Sequence, residues 1–264
     1  MNERILIRGG GDLASGVALR LQHAGFRVVI AELPRPLAVR RLVSFSEAVY
    51  EGQITVEDVS ARLVKEDQIE ATLARGAIPV LIDPDANILL RFTLYTVIDA
   101  RLIKSHPQPL PAPVPLHIGL GPGFSAPRDC HAVIETRRGH TLGRVIWQGQ
   151  SAPDSGQPEG DPRRVLRASE DGILITHAQI GDHLEAGQLI AEIQSNIEYR
   201  ISNIVSPFKG TLRGLLRDGM DVTRGLKLGD VDARDDPALC RLVSDKALAI
   251  GGGVLEAILM HLQR

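Results

Sequence analysis

Aromatic residues are scarce in this chain: one Trp, three Tyr and five Phe make up 3% of its 264 residues. A core with so few rings must be aliphatic, and a hydrophobic content of 44% supplies the material. The same scarcity leaves little on which to stack single-stranded bases. A net charge of −2 offers no phosphate-neutralising surface either, so nucleic acid is set aside as a partner. Only two cysteines occur, Cys130 and Cys240, and neither belongs to a C-x-x-C pair; this argues against a disulfide framework, a zinc site or thioredoxin-like redox chemistry. His117, His131 and His140 lack the paired spacing of metal ligands, so no metal is expected. No apolar run approaches membrane-spanning length, and Met1-Asn2-Glu3-Arg4 leads directly into a strand-like segment without a charged-then-apolar leader. A soluble cytoplasmic protein with no membrane partner is the expectation.

What is present is concentrated at residues 4–32, RILIRGGGDLASGVALRLQHAGFRVVIAE, which reads as strand, glycine turn, helix and a second strand ending in an acid. Gly9-Gly10-Gly11-Asp12-Leu13-Ala14 supplies G-x-G-x-x-A where the strand must turn into a helix. Glycines there allow backbone N–H groups to approach a phosphate, and the helix N-terminus favours an anion. Asp12 either caps the helix start or orients a ribose or water, and Glu32 stands near the distance at which an acid meets an adenosine ribose. A bound dinucleotide, NAD-like rather than NADP-like, is the expected ligand; a glycine turn that binds nothing is the alternative.

Further along, Ser46–Gly52 and Glu66–Ala74 read as helical, and Ile78–Ile82 and Thr96–Ala100 as buried strands, the alternation of a parallel sheet. Both strands run into aspartates, Asp83 and Asp99, which read as site residues or helix caps. His106–Pro115, with proline at every second position, is an extended connector. Leu116–Phe124 is an apolar strand opening into a second glycine loop, followed by Asp129, Cys130, His131 and Glu135. Alternation predicts His131 and Glu135 on one strand face, a site or else a satisfied half-buried strand. Ser151–Pro162 is rich in turn formers and marks a boundary.

Residues 171–193 superpose without a gap on 209–231, glycine on glycine and apolar on apolar, so the segment is two copies of a turn-rich β unit forming a small sandwich. The pattern resembles the biotinyl/lipoyl carrier domain. The junction Gln194–Arg200 has no lysine, however, so covalent biotin or lipoate is not expected, and the unit suits packing, dimerisation or surface presentation, which would make the chain a homo-oligomer. Asp236–Arg264 reads as helical, with Gly251-Gly252-Gly253 permitting a close crossing against the sheet or a break between two helices. The predicted fold class is α/β: an N-terminal Rossmann-like parallel sheet over 1–150, a biotinyl/lipoyl-like β-sandwich over 163–235 and a terminal helix over 236–264.

The strings RILIRGGGDLASGVALRL, ELPRPLAVRRLVSFSEAVYEGQITVEDV, IGLGPGFSAPRDCHAVIETRRGHTLGRVI and SDKALAIGGGVLEAIL resemble a bacterial family of accessory proteins for selenium-dependent molybdenum hydroxylases. The resemblance implies a maturation factor for a xanthine-dehydrogenase-type partner, binding a nucleotide or molybdopterin nucleotide during cofactor assembly or insertion. The binding residues it adds to Gly9, Gly10, Gly11, Asp12 and Glu32 are Gly16, Gly119, Gly121, Gly123, Phe124, Asp129 and Glu135, with His140 after them. Under this reading Cys130 beside His131 carries sulfur or selenium as an activated thiolate. Whether the chain is an enzyme stays open: an NAD-dependent oxidoreductase and a non-catalytic scaffold are the alternatives.

Overall fold

The structure, a computed structural model, describes residues 3–154, 156, 160–195 and 200–263. The chain divides into two compact units: residues 1–36, 44–154 and 243–264 form unit 1, and residues 37–43 and 155–242 form unit 2.

Unit 1 contains β1 (Arg4–Arg8), α1 (Asp12–His23), β2 (Arg27–Glu32), α2 (Ala48–Glu51), β3 (Gln53–Val56), β4 (Val59–Leu63), α3 (Ile69–Ala74), β5 (Ile78–Ile82), β6 (Thr96–Asp99), β7 (Leu116–Leu120), β8 (Ser125–Ala126), β9 (Ala132–Ile134), β10 (Val145–Ile146), β11 (Gly149–Gln150) and α4 (Asp245–Leu262). Among the described residues, nine of these strands form one sheet in the order β10-β9-β7-β6-β1-β2-β5-β4-β3. From β9 to β4 every neighbour is parallel, whereas β10 and β3 close the two edges antiparallel. Ile5, Leu6 and Ile7 of β1 are fully buried, because a central strand covered on both faces must be apolar throughout. The order of the parallel strands reverses at β1: β2 and β5 follow on one side, β6, β7 and β9 on the other. Ligands of open α/β sheets gather at such a reversal, beyond the carboxyl ends of the strands.

α4 packs on α1 across one face of this sheet, and its glycines explain how closely. A Cβ on Gly251 would lie 2.8 Å from the Gly16 carbonyl oxygen, and one on Gly16 would lie 2.6 Å from the Ala247 Cβ. Two helices whose backbones approach so far need glycine at the crossing. The helix runs unbroken through Gly251–Gly253, so they serve no break; Gly251 meets α1, and Gly253 approaches the Gly143 carbonyl and Ile134 of β9. On the opposite face Leu6, Val29, Leu81 and Val97 pack beneath α3 and the connector residues Leu110, Ala112 and Val114.

Unit 2 contains β12 (Val165–Arg167), β13 (Gly172–Thr176), β14 (His183–Leu184), β15 (Leu189–Gln194), β16 (Ile201–Val205), β17 (Gly210–Leu215), β18 (Asp221–Val222) and β19 (Lys227–Asp232). They make two four-stranded antiparallel sheets, β12-β19-β17-β14 and β16-β15-β13-β18, around a core that includes Leu174, Leu184, Ile193, Leu212, Val222 and Val231. The two sequence copies fold alike, strand for strand, and each lends its short middle strand to the other: β14 pairs with β17, and β18 with β13. Gly172 and Gly210 occupy equivalent places, where a Cβ would lie 2.3 Å from the Gln194 carbonyl oxygen and 2.5 Å from that of Asp232.

These observations correct the predicted fold class. The sheet of unit 1 is mixed, with few helices, instead of a Rossmann-like parallel sheet, because the hairpin β3–β4 and the β9–β10 pairing add antiparallel edges that the α/β alternation did not reveal. The biotinyl/lipoyl-like label is withdrawn in favour of the two sheets as observed. The junction on which the missing-lysine argument rested includes residues 196–199, which lie outside the described residues.

Candidate functional site

The first glycine turn is closed by its own chain. The Gly9 N–H donates to the Ala31 carbonyl (2.8 Å), and the Gly10 N–H donates to Glu32 Oε2 (2.6 Å). Glu32 also accepts from the Leu33 N–H through Oε1 (2.7 Å) and is 7% exposed; burial raises its carboxyl above the ordinary range. The Gly10 carbonyl in turn accepts from the Ser46 N–H (2.8 Å) and from Ser15 Oγ (3.3 Å), while Ser15 Oγ accepts from the Phe45 N–H (2.8 Å). Residues 44–47 thus lie over the turn, and a Cβ on Gly10 would meet the Ser46 nitrogen at 2.8 Å. Two of the amides named for a pyrophosphate already have acceptors, and both oxygens of the acid named for a ribose already have donors. Gly11 alone of the three faces open space, and Asp12 begins α1, where a carboxylate suits the positive end of the helix.

The other predicted residues are placed as follows. Gly16 meets α4. Gly119 lies under the Phe124 ring, whose Cγ would be 2.3 Å from a Cβ there, and Phe124 is fully buried, so it offers no stacking surface. Gly123 approaches the Ile103 carbonyl, and Gly121 has φ +85° at the exit of β7. Asp129 accepts from the Ser125 N–H and is clamped by Arg128, whose guanidinium holds the carboxyl below its usual range. Glu135 is buried and ties two backbone segments together, accepting from the N–H groups of Arg137 and Ala152 (both 2.7 Å). Glu135 and His131 flank β9, the first buried and the second exposed. His131 Nδ1 accepts from the His117 N–H (2.8 Å), which places the proton of the neutral ring on Nε2. Cys130 is buried with Sγ donating to the Ala132 carbonyl, and burial pushes its thiol up to about 12, the opposite of an activated thiolate.

The chemistry gathers instead where β1 and β6 separate. Register sets Arg8 beside Asp99 and Asp99 beside Gly119 in one row across β1, β6 and β7. Asp99 is fully buried and lies between two guanidiniums: Arg8 Nη1 stands 3.3 Å from Oδ2, and Arg101 donates through Nε (2.9 Å) and Nη2 (2.6 Å). Arg8, 5% exposed, also donates through Nη2 to the Pro84 carbonyl (3.2 Å). Burial pushes the Arg8 guanidinium below its usual value, and the Asp99 charge opposes that shift. Two rows back on β7, His117 is 7% exposed; burial lowers it from 6.5 to about 4, against the pull of Asp99. Neither Arg8 Nε nor His117 Nε2 has a hydrogen-bond partner among the described residues. Two guanidiniums share the one buried carboxylate, the charges of Asp83 and Asp85 also act on Arg8, and Arg101, with 30% of its side chain exposed, carries the cluster to the surface. His117 is neutral at pH 7, able to share a hydrogen bond but too weak a base to draw a proton there. Among the described residues no group of three His, Cys, Asp or Glu is placed to hold a metal ion, and no helix is long and apolar enough to cross a membrane.

Sequence reasoning noted Asp99, weighed His117 only as a metal ligand, and passed over Arg8 and Arg101. The available signal was a pair of opposite charges ending two strands that the reversal of strand order makes neighbours.

No family model matches the chain. It is 45% identical over 264 residues to "Uncharacterized protein YqeB" of Escherichia coli (strain K12), a match that takes in 98% of this chain and 48% of that protein. The chain therefore spans about half the length of the curated relative it matches. Among solved structures, an aspartoacylase family protein from Mesorhizobium loti is similar with a TM-score of 0.30 and 15% identity, over 88% of this chain and 85% of that one. A succinylglutamate desuccinylase/aspartoacylase from Rhodobacter sphaeroides gives a TM-score of 0.25 and 17% identity, over 33% and 30%. These findings correct the family resemblance: the solved structures bear the desuccinylase/aspartoacylase name, the curated relative is uncharacterized, and none of them bears a molybdenum-hydroxylase or maturation name. The accessory role and its oxidoreductase and scaffold alternatives are withdrawn with it, whereas the comparisons say nothing about the cofactor or the partners. TM-scores this low carry no argument for an acylase either.

Proposed function

We propose that unit 1 binds a small anionic metabolite at the sheet edge between β1 and β6, with a nucleotide phosphate as the first class to test. The observation that carries this reading is the Arg8–Asp99–Arg101 cluster, a buried network of two guanidiniums on one carboxylate that reaches solvent through Arg101. A planar guanidinium fork matches phosphate or carboxylate oxygens in pairs, and Arg101 uses only Nε and Nη2 on Asp99, so Nη1 keeps a donor for a second acceptor. The open side of Gly11 at the start of α1 adds a favourable field on the same sheet edge. The phosphate is assigned to Arg101 and Arg8 instead of the Gly9 and Gly10 amides, because those amides have acceptors of their own.

Thermal melting and calorimetry with ATP, ADP-ribose, pyrophosphate and succinate test the assignment on the wild type and on Arg101→Ala. A ligand at 100 times its Kd stabilises the fold by about 2.7 kcal/mol. At least one of the anions is expected to do so for the wild type, with the effect lost in Arg101→Ala and reduced by added salt. Equal binding by the variant, or no binding across the four anions, would defeat the assignment.

A further inference from the structure

We propose a second small-molecule site in unit 1, at the carboxyl ends of β4 and β5: a cleft for an organic acid with an apolar body, its carboxylate held by Lys65. The site shares none of Arg8, Asp99, Arg101 or His117, and it stands or falls apart from the anion site above.

The cleft has a volume of about 880 Å³ and an apolar floor that includes Leu63, Leu81, Ile82 and Leu90. That volume falls in the range of small-molecule sites, which are mostly apolar with a few placed polar groups. Ile82 is 49% exposed and Leu90 61%, so two large aliphatic side chains are turned toward solvent at one place. The rim decides the charge of the occupant. Arg91 is paired with Glu66. Asp83 accepts from the N–H groups of Asn87 (2.9 Å) and Ile88 (2.8 Å), closing the turn after β5. Lys65 is exposed, and no carboxylate lies within ion-pair distance of its ammonium among the described residues. With Glu66 paired to Arg91 and the Asp83 carboxylate held by two backbone amides, Lys65 is the rim cation left without a carboxylate partner among the described residues, and it fits one carboxylate. A second carboxylate on the ligand would be brought toward Glu66 and Asp83, so a monocarboxylate is favoured over a dicarboxylate.

Octanoate, 1-octanol and suberate serve as probes, titrated into methyl-labelled protein and followed by NMR. Octanoate is expected to shift the methyls of Leu63, Ile82 and Leu90 and to bind more tightly than suberate. Removing a charge-assisted hydrogen bond in Lys65→Gln should weaken octanoate about tenfold and leave octanol unchanged. Leu90→Asp, a change at an exposed position, should abolish both. Unshifted methyls in the wild type, or equal octanoate affinity in Lys65→Gln, would overturn the proposal.

Discussion

Exchanging Gly252 for Ala should stabilise unit 1, and the same exchange one residue later should damage it. In the interior of a helix Ala is favoured over Gly by about 1 kcal/mol, since it loses less backbone freedom on folding. A Cβ on Gly252 meets nothing within 4 Å, so the whole of that gain is available. A Cβ on Gly253 would sit 1.9 Å from the Gly143 carbonyl oxygen and 2.9 Å from its carbon, and both are backbone atoms that cannot rotate aside. Relief requires moving α4 or the turn at Gly143 by about 1 Å. Overpacking of that kind costs about 1–3 kcal/mol and outweighs the helical gain. Gly251 lies between them: its Cβ would meet the Gly16 oxygen and Arg20 Cγ at 2.8 Å, a few tenths of an ångström too close. The Gly16 oxygen is backbone and cannot rotate aside, so alanine should destabilise there too, by less than at Gly253. Urea unfolding at pH 7 reads the series as shifts in midpoint at constant slope, and thermal melting should move by about 2–4 °C per kcal/mol for a domain of this size. A Gly253→Ala variant as stable as the wild type, or a destabilised Gly252→Ala, would refute the seating of α4 on α1 and Gly143.

Other outcomes follow from the buried groups. His117 is held at about 4 when folded and rises to about 6.5 when unfolded, so protons bind the unfolded chain first as pH falls. Stability should therefore drop by about 3 kcal/mol between pH 6.5 and 4, a slope that His117→Asn removes in urea titrations at several pH values. Asp99→Asn leaves Arg8 charged and without its counter-ion, which should cost about 3–5 kcal/mol, while the double change Arg8→Met with Asp99→Asn should cost less; equal losses would show that the pair does not act as one. Both cysteines are buried, and burial raises both thiols, so Ellman's reagent should find neither Cys130 nor Cys240 in the folded protein at pH 8 and both in guanidinium. Rapid labelling of Cys130 in the folded state would revive its thiolate.

Much of the backbone plan was legible because it rests on local pattern. Alternation and apolar runs located β1, α1, β2, β5 and β6, and a constant offset located both copies in unit 2. The hairpin β3–β4 escaped because its turn carries no glycine: Glu57 adopts φ +54° in Val56-Glu57-Asp58-Val59. The acid at the end of β2 was visible, but its direction was not; Glu32 turns back onto the Gly10 amide instead of outward to a ribose. The charge cluster was invisible for a different reason. Arg8 and Asp99 are ninety-one positions apart, and only the strand order makes them neighbours. The misleading family resemblance has a physical basis as well, since several glycines in its strings, among them Gly16, Gly119, Gly123 and Gly253, are places of close backbone or ring contact. Such residues record how a chain packs and say little about what it binds.

The division of the chain has a consequence for its biogenesis. α4 covers α1, yet residues 155–242, belonging to the other unit, are translated before it. At about 5–20 residues per second, the ribosome needs on the order of ten seconds to cross that insertion. Throughout the interval the greasy flank of α1 awaits its lid, a window in which nascent chains should recruit a holding chaperone and then release it once α4 emerges.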